Sequence, residues 1–115
     1  MSNYTENRPW GSFTILDVGN GFKVKRLTVK PGQRTSLQFH KHRSERWTIV
    51  EGEATVTLGN KTHKLIVNEW IYIPLGVKHL LANEGKNDMQ LIEVQVGDYL
   101  GEDDIFRLED KYGRI

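Results

Sequence analysis

The sequence predicts an all-β protein, a sandwich or a barrel, and three observations carry that expectation. Nine short runs are rich in β-branched and aromatic residues and alternate in polarity, as strands half buried on one face do. Glycine, proline and asparagine stand between the runs, where turns need a positive or a preset φ. The runs alternate rather than repeating at helical spacing.

The first run, residues 13–16, holds Phe13 and Ile15 and stops before Gly19-Asn-Gly21. The second, 22–29, alternates Phe22 and Val24 with Lys23 and Lys25 and ends at Pro31-Gly32. In the third, 35–40, Leu37 and Phe39 oppose Ser36, Gln38 and His40. The fourth, 46–50, carries Trp47, Ile49 and Val50 and closes on Glu51-Gly-Glu53. The fifth, 54–58, alternates Val56 with Thr55 and Thr57, and Gly59-Asn60 turns it into the sixth, 63–67. The seventh, 70–73, is aromatic and aliphatic and halts at Pro74; the eighth, 79–82, runs to Asn83-Glu-Gly85. The ninth, 89–96, alternates Leu91 and Glu93 with Gln90 and Ile92. Only the tail, 101–110, has the makings of a helical turn, with Asp103 or Asp104 as its cap.

With 115 residues the chain is expected to form one domain spanning 1–115, able to bury roughly two thirds of its unfolded surface. Its 37% hydrophobic and 27% charged residues are the composition of an ordinary globular protein. No apolar run approaches a membrane span, and the N-terminus lacks the basic-then-apolar order of a signal peptide, so no membrane partner and a cytoplasmic location are the default expectations. The absence of cysteine excludes disulfides and thiolate metal sites. A net charge of +1 argues against a nucleic-acid partner, yet half of the 16 basic residues fall between positions 23 and 46. That cluster reads either as a seat for a small anionic ligand or as a solvated sheet face.

Two segments hold three of the four histidines: residues 32–45, with Gln38, His40, His42 and Glu45, and residues 74–79, with Pro74, Gly76 and His79. Nitrogen and oxygen ligands converging from two separated strands point to a divalent cation. Strand parity puts Gln38 and His40 on one face, and a regular fourth strand puts Glu45, Trp47 and Ile49 on one face. If that face lines a barrel interior, unpartnered polar groups there cost about 1–3 kcal/mol each, a cost that a bound cation removes.

The spacing of Gly32, Gln38-x-His40, Glu45 and Gly52 resembles the first cupin motif, with glutamine in place of the usual first histidine. The spacing of Asn68, Pro74-x-Gly76, His79 and Asn83 resembles the second, with Asn68 where glycine is usual. Eight ordered blocks narrow the match: Arg8-Pro-Trp-Gly-Ser-Phe13, Phe22-Lys-Val-Lys-Arg26, Ser36-Leu-Gln, His40-x-His42-Arg-Ser-Glu-Arg-Trp47, Tyr72-Ile-Pro74, Ile92-Glu-Val-Gln95, Tyr99-Leu-Gly-Glu-Asp-Asp-Ile105 and Glu109-Asp-x-Tyr-Gly-Arg114. Together they resemble type II phosphomannose isomerases, including the isomerase domain that ends the bifunctional mannose-1-phosphate guanylyltransferase/mannose-6-phosphate isomerase enzymes. The resemblance implies a cupin double-stranded β-helix, a jelly-roll barrel with a short helical or irregular C-terminal tail. It implies a metal-dependent aldose-ketose isomerase that interconverts mannose 6-phosphate and fructose 6-phosphate through a cis-enediol. No nucleotidyltransferase domain precedes the blocks, so GDP-mannose synthesis is not expected of this chain.

By the same resemblance Gln38, His40, Glu45 and His79 are the metal ligands, with zinc first and manganese, cobalt, nickel or iron as alternatives. A neutral glutamine keeps the ligand charge at one negative and leaves the metal a stronger Lewis acid. It also argues against an oxygenase, which in this superfamily usually has three histidines and a carboxylate. Catalytic roles fall to Arg43, Glu93 and Lys25, and substrate contacts to Arg26, Gln95, Arg107 and Arg114. Glu93 reads either as the base or as a structural carboxylate paired with Arg26 or Arg46. Arg107 and Arg114 are phosphate groups' partners or simply partners of Asp104, Glu109 and Asp110. Arg43 lies in the turn before Glu45, where a planar guanidinium suits phosphate or an enediolate. His42 reads as a group behind the ligands or an exposed residue, and His63 as a surface residue. Trp10, Trp47 and Trp70 are expected in the core; Tyr72 and Tyr112 serve a sugar hydroxyl or the backbone. A homodimer is expected, with an edge strand or the segment 5–10 reaching a neighbour. The alternative function is a non-catalytic or regulatory sugar-phosphate-binding cupin.

Overall fold

The computed structural model describes residues 3–115. Eleven strands form two facing sheets: β1 Tyr4–Arg8, β2 Gly11–Gly19, β3 Phe22–Val29, β4 Leu37–Phe39, β5 Arg43–Glu51, β6 Glu53–Leu58, β7 Lys61–Ile66, β8 Trp70–Ile73, β9 His79–Ala82, β10 Met89–Gly97 and β11 Phe106–Glu109. One sheet has the order β1-β2-β3-β10-β5-β8, the other β11-β4-β9-β6-β7. From β3 onward the chain passes repeatedly from one sheet to the other, which is the expected jelly-roll winding. Among the described residues there is no helix, so none is long and apolar enough to cross a membrane.

Alternation decides which residues face inward. On β5, Arg43, Glu45, Trp47 and Ile49 are buried; on β10, Met89, Leu91, Glu93 and Gln95 are; on β3, Lys25, Leu27 and Val29 are. The registers align them in rows. Leu27, Leu91 and Ile49 lie side by side, as do Lys25, Glu93 and Trp47, and Gln95 lies beside Glu45. The inner space is therefore apolar at one end and polar at the other. Val56 and Leu81 of the second sheet are fully buried and complete the apolar end with Phe13 and Trp10. Burying each such side chain stabilises the fold by about 1.5–3 kcal/mol before the entropic cost of ordering it.

Several sequence expectations change. The chain has two further strands, β1 and β11, one at each end. The tail makes no helical turn, because Asp104 caps something else: its carboxylate accepts the backbone N–H groups of Lys41 and His42, both at 2.9 Å, at the turn between β4 and β5. Arg43 opens β5 rather than lying in a turn. The segment 5–10 keeps a place at a sheet edge, since β1 pairs with β2 alone, Thr5 opposite Thr14. Trp70 is not in the core. It and Tyr72 face outward from edge strand β8, and the Arg46 guanidinium lies over both rings. Asn68, standing where glycine is usual, has a φ of 76°, a conformation that asparagine tolerates better than most side chains.

Candidate metal centre

The two histidine segments meet through backbone pairing. Gln38 on β4 lies opposite His79 on β9. The Pro74–Val77 turn that leads into β9 is tied to the first segment by the Gly76 N–H, which donates to the His40 carbonyl at 2.9 Å. Gly76 adopts a φ of 81°, which a side chain would strain.

His40, Glu45 and His79 are 2%, 2% and 1% exposed, and their ligand atoms lie within 4.8 Å of one another. Each imidazole is held by its far nitrogen. His40 Nδ1 is 2.7 Å from the Asp104 carbonyl and His79 Nδ1 is 2.9 Å from the Val77 carbonyl, so both protonate there and turn an Nε2 lone pair inward. Burial lowers the pKa of both rings, His40 to about 4. Burial alone would raise Glu45, but Arg43 and the two rings reverse that and hold it well below the ordinary carboxylate range. Neutral imidazoles and an ionised carboxylate are the ligating forms. His79 Nε2 is buried and has no hydrogen-bond partner among the described residues. These residues fit a divalent cation; Gln38, opposite His79, has its Oε1 accepting from Ser36 Oγ at 3.0 Å.

Arg43 is closely engaged with this set. Its Nε donates to Glu45 Oε2 at 2.7 Å, and one Nη lies 3.3 Å from His40 Nε2. The other Nη is buried without a partner among the described residues. Beside it, Trp47 Nε1 lies 3.0 Å from Glu45 and 3.1 Å from Glu93 and bridges the two carboxyls. Burial, then the Glu45 charge, pushes Glu93 up to about 8. Gln95 donates its amide N–H to Glu93 at 2.5 Å and keeps a buried, unpartnered carbonyl oxygen. Neither Arg26 nor Arg46 reaches Glu93: both are exposed on the outer face, since they alternate with the inward Lys25 and Glu45.

A cleft of about 560 Å³, counting space open to solvent, runs from this cluster to the ends of the chain. Gln38, Arg43, Glu45, Glu93, Lys25, Arg107 and Arg114 all line it; Arg26, on the outer face, and Gln95, fully buried behind Glu93, do not. Two groups on the cleft escaped the sequence reading. Glu102 binds the buried Lys25 ammonium at 2.6 Å, with Lys23 at 3.5 Å. Arg8 enters from β1, beside the wall formed by Trp10, which is buried in the core as expected. The Lys25 ammonium also lies 4.1 Å from the centre of the Phe13 ring. His42 is half exposed, 3.3 Å from Asp98, and takes no part.

A family profile described as mannose-6-phosphate isomerase C-terminal matches residues 2–110. The xanthan biosynthesis protein XanB of Xanthomonas campestris is 57% identical over 107 residues, covering 93% of this chain and 23% of XanB. The mannose-1-phosphate guanylyltransferase ManC of Salmonella typhimurium is 52% identical over 108 residues, covering 94% of this chain and 22% of ManC. The chain thus spans less than a quarter of the relatives it matches. Among solved structures, the Schizosaccharomyces pombe Cnp3 cupin domain superposes with a TM-score of 0.68 at 18% identity, over 75% of this chain and 65% of that one, a likeness of fold.

Proposed function

The chain belongs to the mannose-6-phosphate isomerase C-terminal family, and from that premise we propose that it interconverts mannose 6-phosphate and fructose 6-phosphate with a divalent cation, zinc first, held by His40, Glu45, His79 and Gln38. The observation that carries the metal part is the buried, unpartnered Nε2 of His79 facing His40 and Glu45. A divalent cation there would polarise the substrate carbonyl and stabilise the charge that develops on its oxygen.

The remaining roles belong to side chains. Isomerisation moves a proton between C1 and C2 through a cis-enediol. Glu93 is the base, because burial and Glu45 bring its pKa close to neutrality, where a general base works best. Gln95 and Trp47 fix the carboxyl by its two oxygens. Lys25, opposite Glu93 in the register, supplies positive charge beside the enediol, and Glu102 holds its ammonium in place. The buried Arg43 Nη, on the cleft, meets a substrate hydroxyl. Arg107 and Arg114, at the far end of the cleft, take the phosphate.

Isomerisation in D2O tests this reading. Mannose 6-phosphate is expected to gain deuterium at C2 while fructose 6-phosphate appears, and Glu93→Gln is expected to abolish both. Binding of mannose 6-phosphate without exchange or product, under every cation tried, would favour a sugar-phosphate-binding module instead.

A further inference from the structure

We propose that two copies of the chain pack face to face through the outer face of the six-stranded sheet, related by a two-fold axis that runs along the strands between β3 and β10. This surface is separate from the cleft, so the inference does not depend on the sugar-phosphate reading. It gives the homodimer expected of the sequence a defined face.

The two sheets differ in what they turn outward. On the five-stranded sheet, the positions that alternate with buried Val56 are Thr55 and Thr57, opposite Lys64 and Thr62, a polar surface. On the six-stranded sheet, the positions that alternate with buried Lys25, Glu45 and Glu93 form rows of another kind. One row runs Asp17, Val24, Val94, Arg46 and Tyr72 from β2 to β8. On one side of it Phe22 opposes Val96, both exposed. On the other, Ile92 stands between Arg26 and Thr48, with Trp70 exposed at the edge. A contiguous apolar face left in water is the mark of an interaction surface.

The row of five identifies the partner. Read across the strands it is acid, apolar, apolar, base and aromatic, and its first four positions are complementary to their own reverse. An isologous contact requires that property of a surface, whereas an unrelated partner does not. With the axis between β3 and β10, Val24 of one copy meets Val94 of the other, Phe22 meets Val96, and Arg46 meets Asp17. Within one chain Asp17 and Arg46 stand three strands apart, about 14 Å, too far to pair with each other. Arg46 is held ready for the contact. Its guanidinium lies 4.6 Å from the centre of the Tyr72 ring, and a stacked guanidinium keeps its edge donors for a carboxylate. The area also suffices. Four strands of eight or nine residues and the shorter β8, spaced by about 4.8 Å and rising about 3.3 Å per residue, give a face of roughly 600 Å² per copy. A pair therefore buries roughly 1,200 Å² in all, where stable interfaces begin. Aligned sheets pack in this way about 10 Å apart.

Sedimentation equilibrium of the whole chain, with charges exchanged at Asp17 and Arg46, tests the proposal. Wild type is expected to sediment at twice the chain mass. Asp17→Arg alone sets two guanidiniums against each other across the axis, and Arg46→Asp alone sets two carboxylates; each is expected to weaken the dimer by about tenfold or more. Asp17→Arg combined with Arg46→Asp restores opposite charges only where the two residues meet across copies, and is expected to return the dissociation constant to within a few-fold of wild type. Val96→Glu, which places a charge against Phe22 of the other copy, is expected to leave a monomer with the circular dichroism spectrum and zinc stoichiometry of wild type. A wild-type chain that stays monomeric at the highest concentration reached would overturn the proposal. A dimer as tight in both single exchanges and in Val96→Glu as in wild type would overturn it too, because that dimer uses another surface. A double exchange no tighter than the single ones would overturn the axis. Should Arg46→Asp misfold, Asp17→Arg and Val96→Glu decide: undiminished dimerisation in both overturns the face.

Discussion

Arg43 occupies the position that decides how the candidate metal centre behaves. Its guanidinium engages Glu45 Oε2 and lies against His40 Nε2, two atoms that a cation would take. A cation held there would displace Arg43 from both atoms and free its guanidinium for other partners on the cleft. Arg43→Gln removes both the competing ion pair and a repelling charge. Its affinity for zinc, measured by competition with a chromophoric chelator, is expected to rise several-fold, while kcat falls about 10²–10³-fold for loss of a donor at the developing charge. Weaker zinc binding in this variant would contradict the competition. The titrating residues predict how the metal-free chain responds to pH. His40 and His79 have folded pKa values below 6.5, so as pH falls through that value the unfolded state takes up protons that the folded state refuses, and stability drops. Glu93 acts oppositely: its folded pKa near 8 lies above the ordinary 4.5, so the folded state holds an extra proton between those values, and stability drops as pH rises. Below about pH 6.5 the two histidines outweigh Glu93, and above it Glu93 acts alone. Urea unfolding of metal-free chain should show maximal stability near pH 6.5, with limbs of about 1.4 kcal/mol per pH unit, one net proton on each side. Glu93→Gln is expected to flatten the limb above pH 6.5; an unchanged limb would show that another group causes it.

At the scale of elements, the site depends on how closely β5 and β10 approach where Arg43 enters. Gly97 lies opposite Arg43, and a Cβ there would be 2.0 Å from the His42 carbonyl oxygen, with Arg43 Cα at 2.8 Å. Gly97→Ala must push the strands apart and is expected to lose stability and cation affinity together, read by thermal unfolding and zinc titration. Asp104 does similar work from the tail. It closes the turn between β4 and β5 with two backbone hydrogen bonds, so Asp104→Ala is expected to cost about 1–3 kcal/mol in urea unfolding. Neither role was legible from local sequence. Residues 101–110 show an acidic cap beside a short apolar run, the same signal that starts a helix. What overrides it is tertiary: the unfilled N–H groups of Lys41 and His42 lie more than sixty residues away in sequence. The edge strands β1 and β11 escaped notice for a related reason, since each is short and mixed in polarity and is fixed by the ladder it joins.

Across the whole molecule, the parts that alternation governs were legible and the parts fixed by partner choice were not. Period-two patterning placed nine strands, and motif spacing brought His40, Glu45 and His79 together as found. It also placed Lys25, Glu93 and Gln95 on the inner faces, whereas Arg43, expected in a turn, opens β5 instead. It misplaced Trp70, whose size suggested the core although its parity on an edge strand turns it outward, and it included Arg26, which parity excludes from the cleft. Glu102 and Arg8 were missed because their roles rest on distant segments meeting, Glu102 in contact with Lys25 and Arg8 on the same cleft as the two C-terminal arginines. The apolar end underpins the polar one: Leu91 is fully buried two residues from Glu93, and Leu91→Ala is expected to cost about 2–5 kcal/mol in chemical denaturation. The most direct measurement is turnover of mannose 6-phosphate to fructose 6-phosphate by metal-stripped chain as zinc is added back in known amounts. The account predicts no product without cation, activity that rises linearly and saturates at one equivalent per chain, and neither stoichiometric binding nor product for His79→Ala. Turnover unaffected by stripping the metal, or an undiminished zinc stoichiometry in His79→Ala, would contradict it.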